Sequence, residues 1–133
     1  MIVSDTNLLV YLYVPGERTE QAEAVLARDA QWAAPLLWRS ELRNALADLI
    51  GRRGLALDTA VQIMVEAERF MGGREYGVLS YRVLQLAASS RCSAYDCELI
   101  ALAEDLGVPL VTSDHRVLRS FPRIAVTPET FAR

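Results

Sequence analysis

Short apolar runs alternate along this chain with longer stretches in which apolar residues recur every three or four positions, and no other feature limits its fold as much. The first run, Ile2-Val3-Ser4, is followed by Leu8, Leu9, Leu12 and Tyr13 at helical spacing. That reads as a buried strand entering a helix. Arg18 to Asp29 has a period near 3.6, and Gln31 to Pro35 has room only for a short strand. From Leu37 to Arg53, Trp38, Leu42, Ala45, Leu46 and Leu49 form one apolar stripe, with Gly51 and Gly54 bracketing the end. A further helix is expected from Asp58, read as its N-cap, to Phe70, with a loop at Gly72 and Gly73. Tyr76 to Leu79 reads as a strand, and Ser80 as the cap of a helix through Ser89. Ser93 to Leu106 is helical and stops at Gly107, Val108 to Thr112 is strand-like, Arg116 to Ser120 is a short helix, and Arg123 to Val126 adds an edge strand. Strands joined by helices predict a parallel sheet covered on both faces, with ligands bound beyond the carboxyl ends of its strands.

Two of those strands end in acids. Ile2-Val3-Ser4 leads to Asp5, and Leu110-Val111-Thr112 leads through Ser113 to Asp114. Glu41 flanks the apolar stripe of its helix and so borders the core. Asp96 lies in the first turn of its helix, where it has two readings: a charge favoured by the helix dipole, or a ligand. Burying one unpaired carboxylate costs several kcal/mol, and four close together repel, so convergence of these acids would require cations. Mg2+ suits hard carboxylate oxygens and keeps waters that can attack a phosphodiester.

Composition sets the outer limits. With 133 residues, 52% of them apolar and 23% charged, the chain fits one folded domain, 1–133, and is not disordered. No uninterrupted apolar stretch approaches the ~20 residues of a membrane span, and the first residues carry no basic leader. The expectation is a soluble, cytoplasmic protein with no membrane association. Cys92 and Cys97 then stay reduced, and their spacing fits neither a redox pair nor a zinc site. The net charge of -3 disfavours a broad basic grip on nucleic acid, although cations on four of the seventeen carboxylates would bring the surface close to balance. All fourteen basic residues are Arg, which excludes P-loop, Schiff-base and other lysine-dependent chemistry.

Four blocks carry a resemblance: D-T-N at Asp5 to Asn7, W-R-S-E-L-R-N-A-L at Trp38 to Leu46, A-Y-D-C-E-L-I-A-L-A at Ala94 to Ala103, and L-V-T-S-D at Leu110 to Asp114. In their order and spacing they resemble the PIN-domain family, specifically the VapC-type ribonuclease toxins of type II toxin–antitoxin pairs. The resemblance covers essentially the whole chain. It implies a PIN-like α/β/α sandwich with a central parallel sheet of four to five strands, and an acidic pocket of Asp5, Glu41, Asp96 and Asp114. Asp5 and Asp96 would hold the principal Mg2+, with Glu41 and Asp114 completing that site or binding a second ion. Mn2+ would substitute. Thr6, Asn7, Thr112 and Ser113 would orient ligands or waters, although each also reads as a helix cap or turn closer. The implied activity is Mg2+-dependent endoribonuclease cleavage by a metal-activated water, leaving 5′-phosphate and 3′-hydroxyl ends. The implied partners are an RNA substrate, a cognate antitoxin protein and a second copy of the chain in a homodimer.

Other residues are weighed against plainer roles. His115, the lone histidine, cannot supply the base–acid pair of a metal-independent ribonuclease and reads as a supporting or solvent-facing group. Arg39, Arg43, Arg52 and Arg53 share the helix of Glu41, and Arg43 is the candidate for RNA contact, against the plain reading of a solvated face. Trp38, Tyr81 and Tyr95 could stack bases but are expected mainly in the core. Tyr11 to Val14, and surface-facing members of Leu9, Leu12, Tyr13 and the Trp38–Leu49 helix, are candidates for a partner surface, with intramolecular core as the plainer reading. Two rival functions are a phosphatase using Asp5 as nucleophile, which the absent lysine and the Asn at position 7 disfavour, and a non-catalytic PIN-like binding module for RNA or protein.

Overall fold

β1 (Ile2–Ser4) is buried along its whole length, as a strand with core on both faces requires. The computed structural model describes all 133 residues. After β1 come α1 (Thr6–Tyr13), α2 (Thr19–Arg28), β2 (Trp32–Pro35), α3 (Trp38–Arg53), α4 (Leu57–Met71), β3 (Glu75–Tyr76), α5 (Ser80–Ser90), α6 (Ala94–Leu106), β4 (Leu110–Val111), α7 (His115–Ser120), β5 (Ala125–Val126) and α8 (Pro128–Ala132). The strands form one sheet in the order β3-β2-β1-β4-β5, and every pair is parallel. Val3 is paired with Ala33 on one side and Leu110 on the other, which makes β1 the central strand.

Alternation along the strands divides the interior into two cores. Ile2, Trp32, Ala34 and Val111 face Leu8 and Leu9 of α1, Leu42 and Leu46 of α3, and Ile63 and Met71 of α4. Val3, Ala33, Leu110 and Ala125 face Val83 and Leu86 of α5, Ile100 and Leu102 of α6, and Val117 of α7. Helices therefore cover both faces, and the architecture is the expected three-layer α/β/α sandwich.

Local signals explain most boundaries. α3 ends at Gly54 and α6 at Gly107, both in the left-handed region, with φ of 66° and 65°, where a Cβ would be strained. The first turn of α3 is pinned from outside. Trp38 Nε1 and Arg39 Nε donate to Glu75 Oε1 at 2.5 and 2.6 Å, and Arg39 Nη1 donates to Glu68 at 2.6 Å, which ties the turn carrying Glu41 to β3 and α4.

Several expectations need correction. Ala56, not Asp58, is the N-cap of α4, and Asp58 sits in its first turn. Ser80 is the first residue of α5 rather than its cap. The strand expected at Tyr76 to Leu79 lies instead at Glu75–Tyr76, because β2 stops at Pro35 and leaves residues 77–79 nothing to pair with. α8 was not anticipated: five residues are too few for periodicity, although Thr127 capping a helix that begins at Pro128 is a local signal. Leu9 and Trp38 are core, as are Leu42 and Leu46, and Leu12 and Tyr13 pack against that core, whereas Tyr11, Val14 and Leu49 line an open surface cavity of about 540 Å³. Tyr81 and Tyr95, expected inside, are 76% and 62% exposed. No helix is long and apolar enough to cross a membrane.

Candidate active site

Asp5 follows β1 and caps α1, and its position is set by that double duty. Its Oδ1 accepts from Leu8 N at 2.9 Å, and its Oδ2 accepts from the Thr112 hydroxyl at 2.5 Å. The same hydroxyl oxygen accepts from Asp114 N at 3.1 Å. A hydroxyl has one proton to give, so Thr112 donates to Asp5 while accepting from the Asp114 backbone, and it joins the ends of β1 and β4. Asp114 in turn caps α7, its Oδ1 accepting from Arg116 N and Val117 N at 2.9 and 3.2 Å.

The helices bring the other two acids. Glu41 lies in the first turn of α3, and its Oε1 accepts from the Thr6 hydroxyl at 3.2 Å. Asp96 lies in the first turn of α6, but Ser93 is the cap: Ser93 Oγ accepts from Asp96 N at 3.1 Å, and the Asp96 carboxylate makes no hydrogen bond. Its charge is therefore not needed to close the helix end.

Asp5, Thr6, Asn7, Glu41, Asp96, Leu99, Thr112, Asp114 and Val117 line one cavity of about 120 Å³. All four predicted acids meet there, with Thr6, Asn7 and Thr112; Ser113 does not line it, and neither do Arg43 or His115, which are exposed nearby in sequence. Arg43 is two residues beyond Glu41, about 200° around the helix, on a face turned from the cavity. Glu98, half-buried on α6, is a fifth acid whose charge acts on Glu41. Sequence reading missed it because its proximity to Glu41 exists only through space.

The electrostatics follow from this crowding. Burial pushes the Asp5 carboxyl above the ordinary range; the bonds from Thr112 and Leu8 pull it down, and the charges of Asp114 and Asp96 push it up again. Glu41 is raised as well, first by partial desolvation and then, against the bond from Thr6, by the charges of Asp5, Glu98 and Asp96. None of the protein's ion pairs, which join Met1 to Asp29, Arg39 to Glu68 and Glu75, Arg52 to Asp48, and Arg82 to Glu104, reaches the cavity. The donor set, all hard oxygen and without a protein cation, fits Mg2+. The side chains are not a preassembled cage. Mg2+ does not require one, since it is usually held by one or two carboxylates together with waters.

A pH dependence follows. A carboxyl raised in the folded state binds its proton more tightly there than in the unfolded chain, so stability falls as pH rises through that window. For Asp5 and Glu41 the window opens at their ordinary values of 3.8 and 4.5 and extends upward. Asp29 and Glu75 are lowered, so their window lies below the ordinary values and leaves this one clear. In EDTA, denaturant unfolding at a series of pH values is expected to show stability decreasing from about pH 4.5 toward neutrality. An added divalent cation is expected to restore most at the upper end, where these carboxylates are ionised. A flat profile in EDTA would contradict this electrostatic picture.

In the order β3-β2-β1-β4-β5 the direction of winding reverses between β1 and β4, and Asp5, Thr112 and Asp114 stand at that crevice. Fold and site together define a doubly wound α/β domain whose switch-point pocket has carboxylates as its only charged groups. Within that class, the chain belongs to the PIN-domain family, whose model matches residues 2–126. It is 31% identical over 130 residues to Ribonuclease VapC3 of Pyrobaculum aerophilum, covering 96% of this chain and 98% of that protein. A toxin–antitoxin complex from Klebsiella pneumoniae has a chain of the same fold, with a TM-score of 0.71 at 20% identity over 96% of this chain and 98% of that one. A protein of known crystal structure from Pyrobaculum aerophilum gives 0.74 at 21% identity, covering 98% and 92% of the two chains.

Proposed function

We propose that this protein is a Mg2+-dependent endoribonuclease and the toxin of a type II toxin–antitoxin pair. The observation that carries the reading is the convergence of Asp5, Glu41, Asp96 and Asp114 on one cavity without a protein cation. Membership of the PIN-domain family and the likeness to a VapC ribonuclease support it. Asp5 and Asp96 would hold the principal Mg2+, with Glu41 and Asp114 completing the site or holding a second ion, and Mn2+ would substitute. Bound there, the ion supplies charge for a scissile phosphate and makes water a competent nucleophile near neutral pH. The chain's own part is positioning: Thr112 orients Asp5, Thr6 orients Glu41, and Asn7 offers an amide to substrate or water. Arg43, exposed and without an ion pair, is available to RNA that extends beyond the cavity.

Asp5 does not suit the rival role of phosphatase nucleophile. That chemistry wants a second acid two residues on, where this chain has Asn7, and a lysine to settle phosphate charge, which it lacks. A nuclease of this kind needs restraint in the cell, and the acidic cavity invites it: an antitoxin Arg or Lys can pair with Glu41, Asp96 or Asp114 and exclude the metal. The working unit proposed is a homodimer bound by that antitoxin.

The test is cleavage of RNA by purified protein in Mg2+, in Mn2+ and in EDTA, with the new ends mapped. Metal-stimulated cuts leaving 5′-phosphate and 3′-hydroxyl ends are expected. Cyclic 2′,3′-phosphate ends, or undiminished cutting in EDTA, would overturn the mechanism, and RNA binding without cutting in any metal would favour a non-catalytic module.

A further inference from the structure

A second cavity, of about 200 Å³, adjoins the acidic one and shares Glu41 with it. Its other lining residues are Leu37, Ser40, Asn44 and Tyr95. Leu37, Glu41 and Asn44 are spaced i, i+4 and i+7, so the face of α3 that offers Glu41 to the acidic cavity also lines this one. Tyr95 comes from the first turn of α6, one residue before Asp96, and is 62% exposed. An aromatic ring left in water beside an acidic site makes no contribution to either core.

We infer that this cavity is a subsite for one unpaired base of single-stranded RNA, stacked on Tyr95, next to the phosphate cut at the acidic cavity. The inference rests on the ribonuclease reading above. The chemistry of the walls selects the occupant. Glu41 is the only charged group in the lining, so a phosphate is repelled while a neutral flat heterocycle is accepted. Tyr95 supplies a stacking face and Leu37 an apolar floor, whereas Asn44 and Ser40 supply donors and acceptors for the edge of a base. Because the two cavities share Glu41, a nucleotide so held has its phosphate beside the acidic cavity.

The test compares steady-state cleavage of an RNA oligonucleotide by parent, Tyr95→Ala and Tyr95→Phe. Loss of base–aromatic stacking is expected to raise KM roughly 5- to 150-fold in Tyr95→Ala, with the loss falling on KM rather than kcat, and Tyr95→Phe should recover the affinity. Because Tyr95 is exposed, neither variant disturbs the cores. A separate measurement needs no cleavage: Trp32 and Trp38 are 0% and 2% exposed, so in Tyr95→Trp the new indole alone is open to quenching by the oligonucleotide in EDTA. A parent that cleaves RNA, with an unchanged KM in Tyr95→Ala, overturns the subsite and spares the nuclease. Weakened inhibition by the antitoxin in Tyr95→Ala, without a change in KM, also overturns it and gives the cavity to the protein partner. If the parent binds RNA but never cuts it in any metal, the nuclease reading falls, and absence of quenching in Tyr95→Trp then overturns the subsite too.

Discussion

Asp96→Asn is expected to reduce Mg2+-stimulated RNA cleavage by roughly 10²- to 10⁴-fold while leaving the metal-free protein at least as stable as the parent. The two halves of this expectation come from one geometry. Ser93 Oγ, not Asp96, closes the end of α6, and the Asp96 carboxylate makes no hydrogen bond that an amide would break. Removing its charge forfeits a helix-dipole interaction of about 0.3–1 kcal/mol and relieves repulsion with Asp5 and Glu41. The opposing effects are similar in size, so the melting temperature should hold or rise. Ser93→Ala is the contrast, with a loss of about 1 kcal/mol from the missing cap. Mg2+ should then raise Tm less in Asp96→Asn than in the parent, because stabilisation by a ligand scales with its affinity for the folded state. Parental cleavage by Asp96→Asn would remove it from the metal site. A fall in Tm as large as that of Ser93→Ala would make it a structural charge.

Among the uncharged residues that line the acidic cavity, Thr112 should be the most sensitive, and Thr112→Val the change that shows it. Valine fills nearly the same space at a position 2% exposed, so packing is conserved and only the hydroxyl is lost. That hydroxyl gives its proton to Asp5 Oδ2 and accepts from Asp114 N, so its removal strands a buried carboxylate oxygen and a backbone donor together. The expected cost is roughly 2–4 kcal/mol, on the order of 10 °C in Tm. Asp5 would also shift further toward its protonated form and lose its orientation, which should reduce cleavage and Mg2+ affinity about 10- to 100-fold. Thr112→Ser keeps the hydroxyl and should stay within about 1 kcal/mol of the parent. Equal melting temperatures for the Val and Ser variants would show that the bridge does not organise the site.

How far the sequence could be read depended on whether a residue's role was set locally. Asp5 and Asp114 were legible because a strand-end acid in a parallel α/β chain has few places to go, and the switch point between β1 and β4 is where both arrived. Glu41 was legible from its place beside an apolar stripe. The ambiguity at Asp96 was real, since a first-turn acid and a capped helix look alike until Ser93 is seen to hold the end. Glu98 and the cavity beside Tyr95 were illegible because they depend on how α3 and α6 approach each other. Tyr81 and Tyr95 were placed inside on the general tendency of aromatic residues, which says nothing of which helix face is left uncovered. The strand ends moved for a similar reason: a strand lasts only as long as its neighbour, and β3 could not outlast β2.

The Thr112–Asp5 bridge spans 107 residues, and this separation sets a schedule. At about 5–20 residues per second, a ribosome needs roughly 5 to 20 s to pass from one partner to the other. Throughout that interval the nascent chain carries Asp5 without the hydroxyl that orients it and without Asp114, so no growing or prematurely terminated chain short of β4 can assemble the pocket. On the ribonuclease reading proposed above, the chain is thus kept inert until β4 has been made.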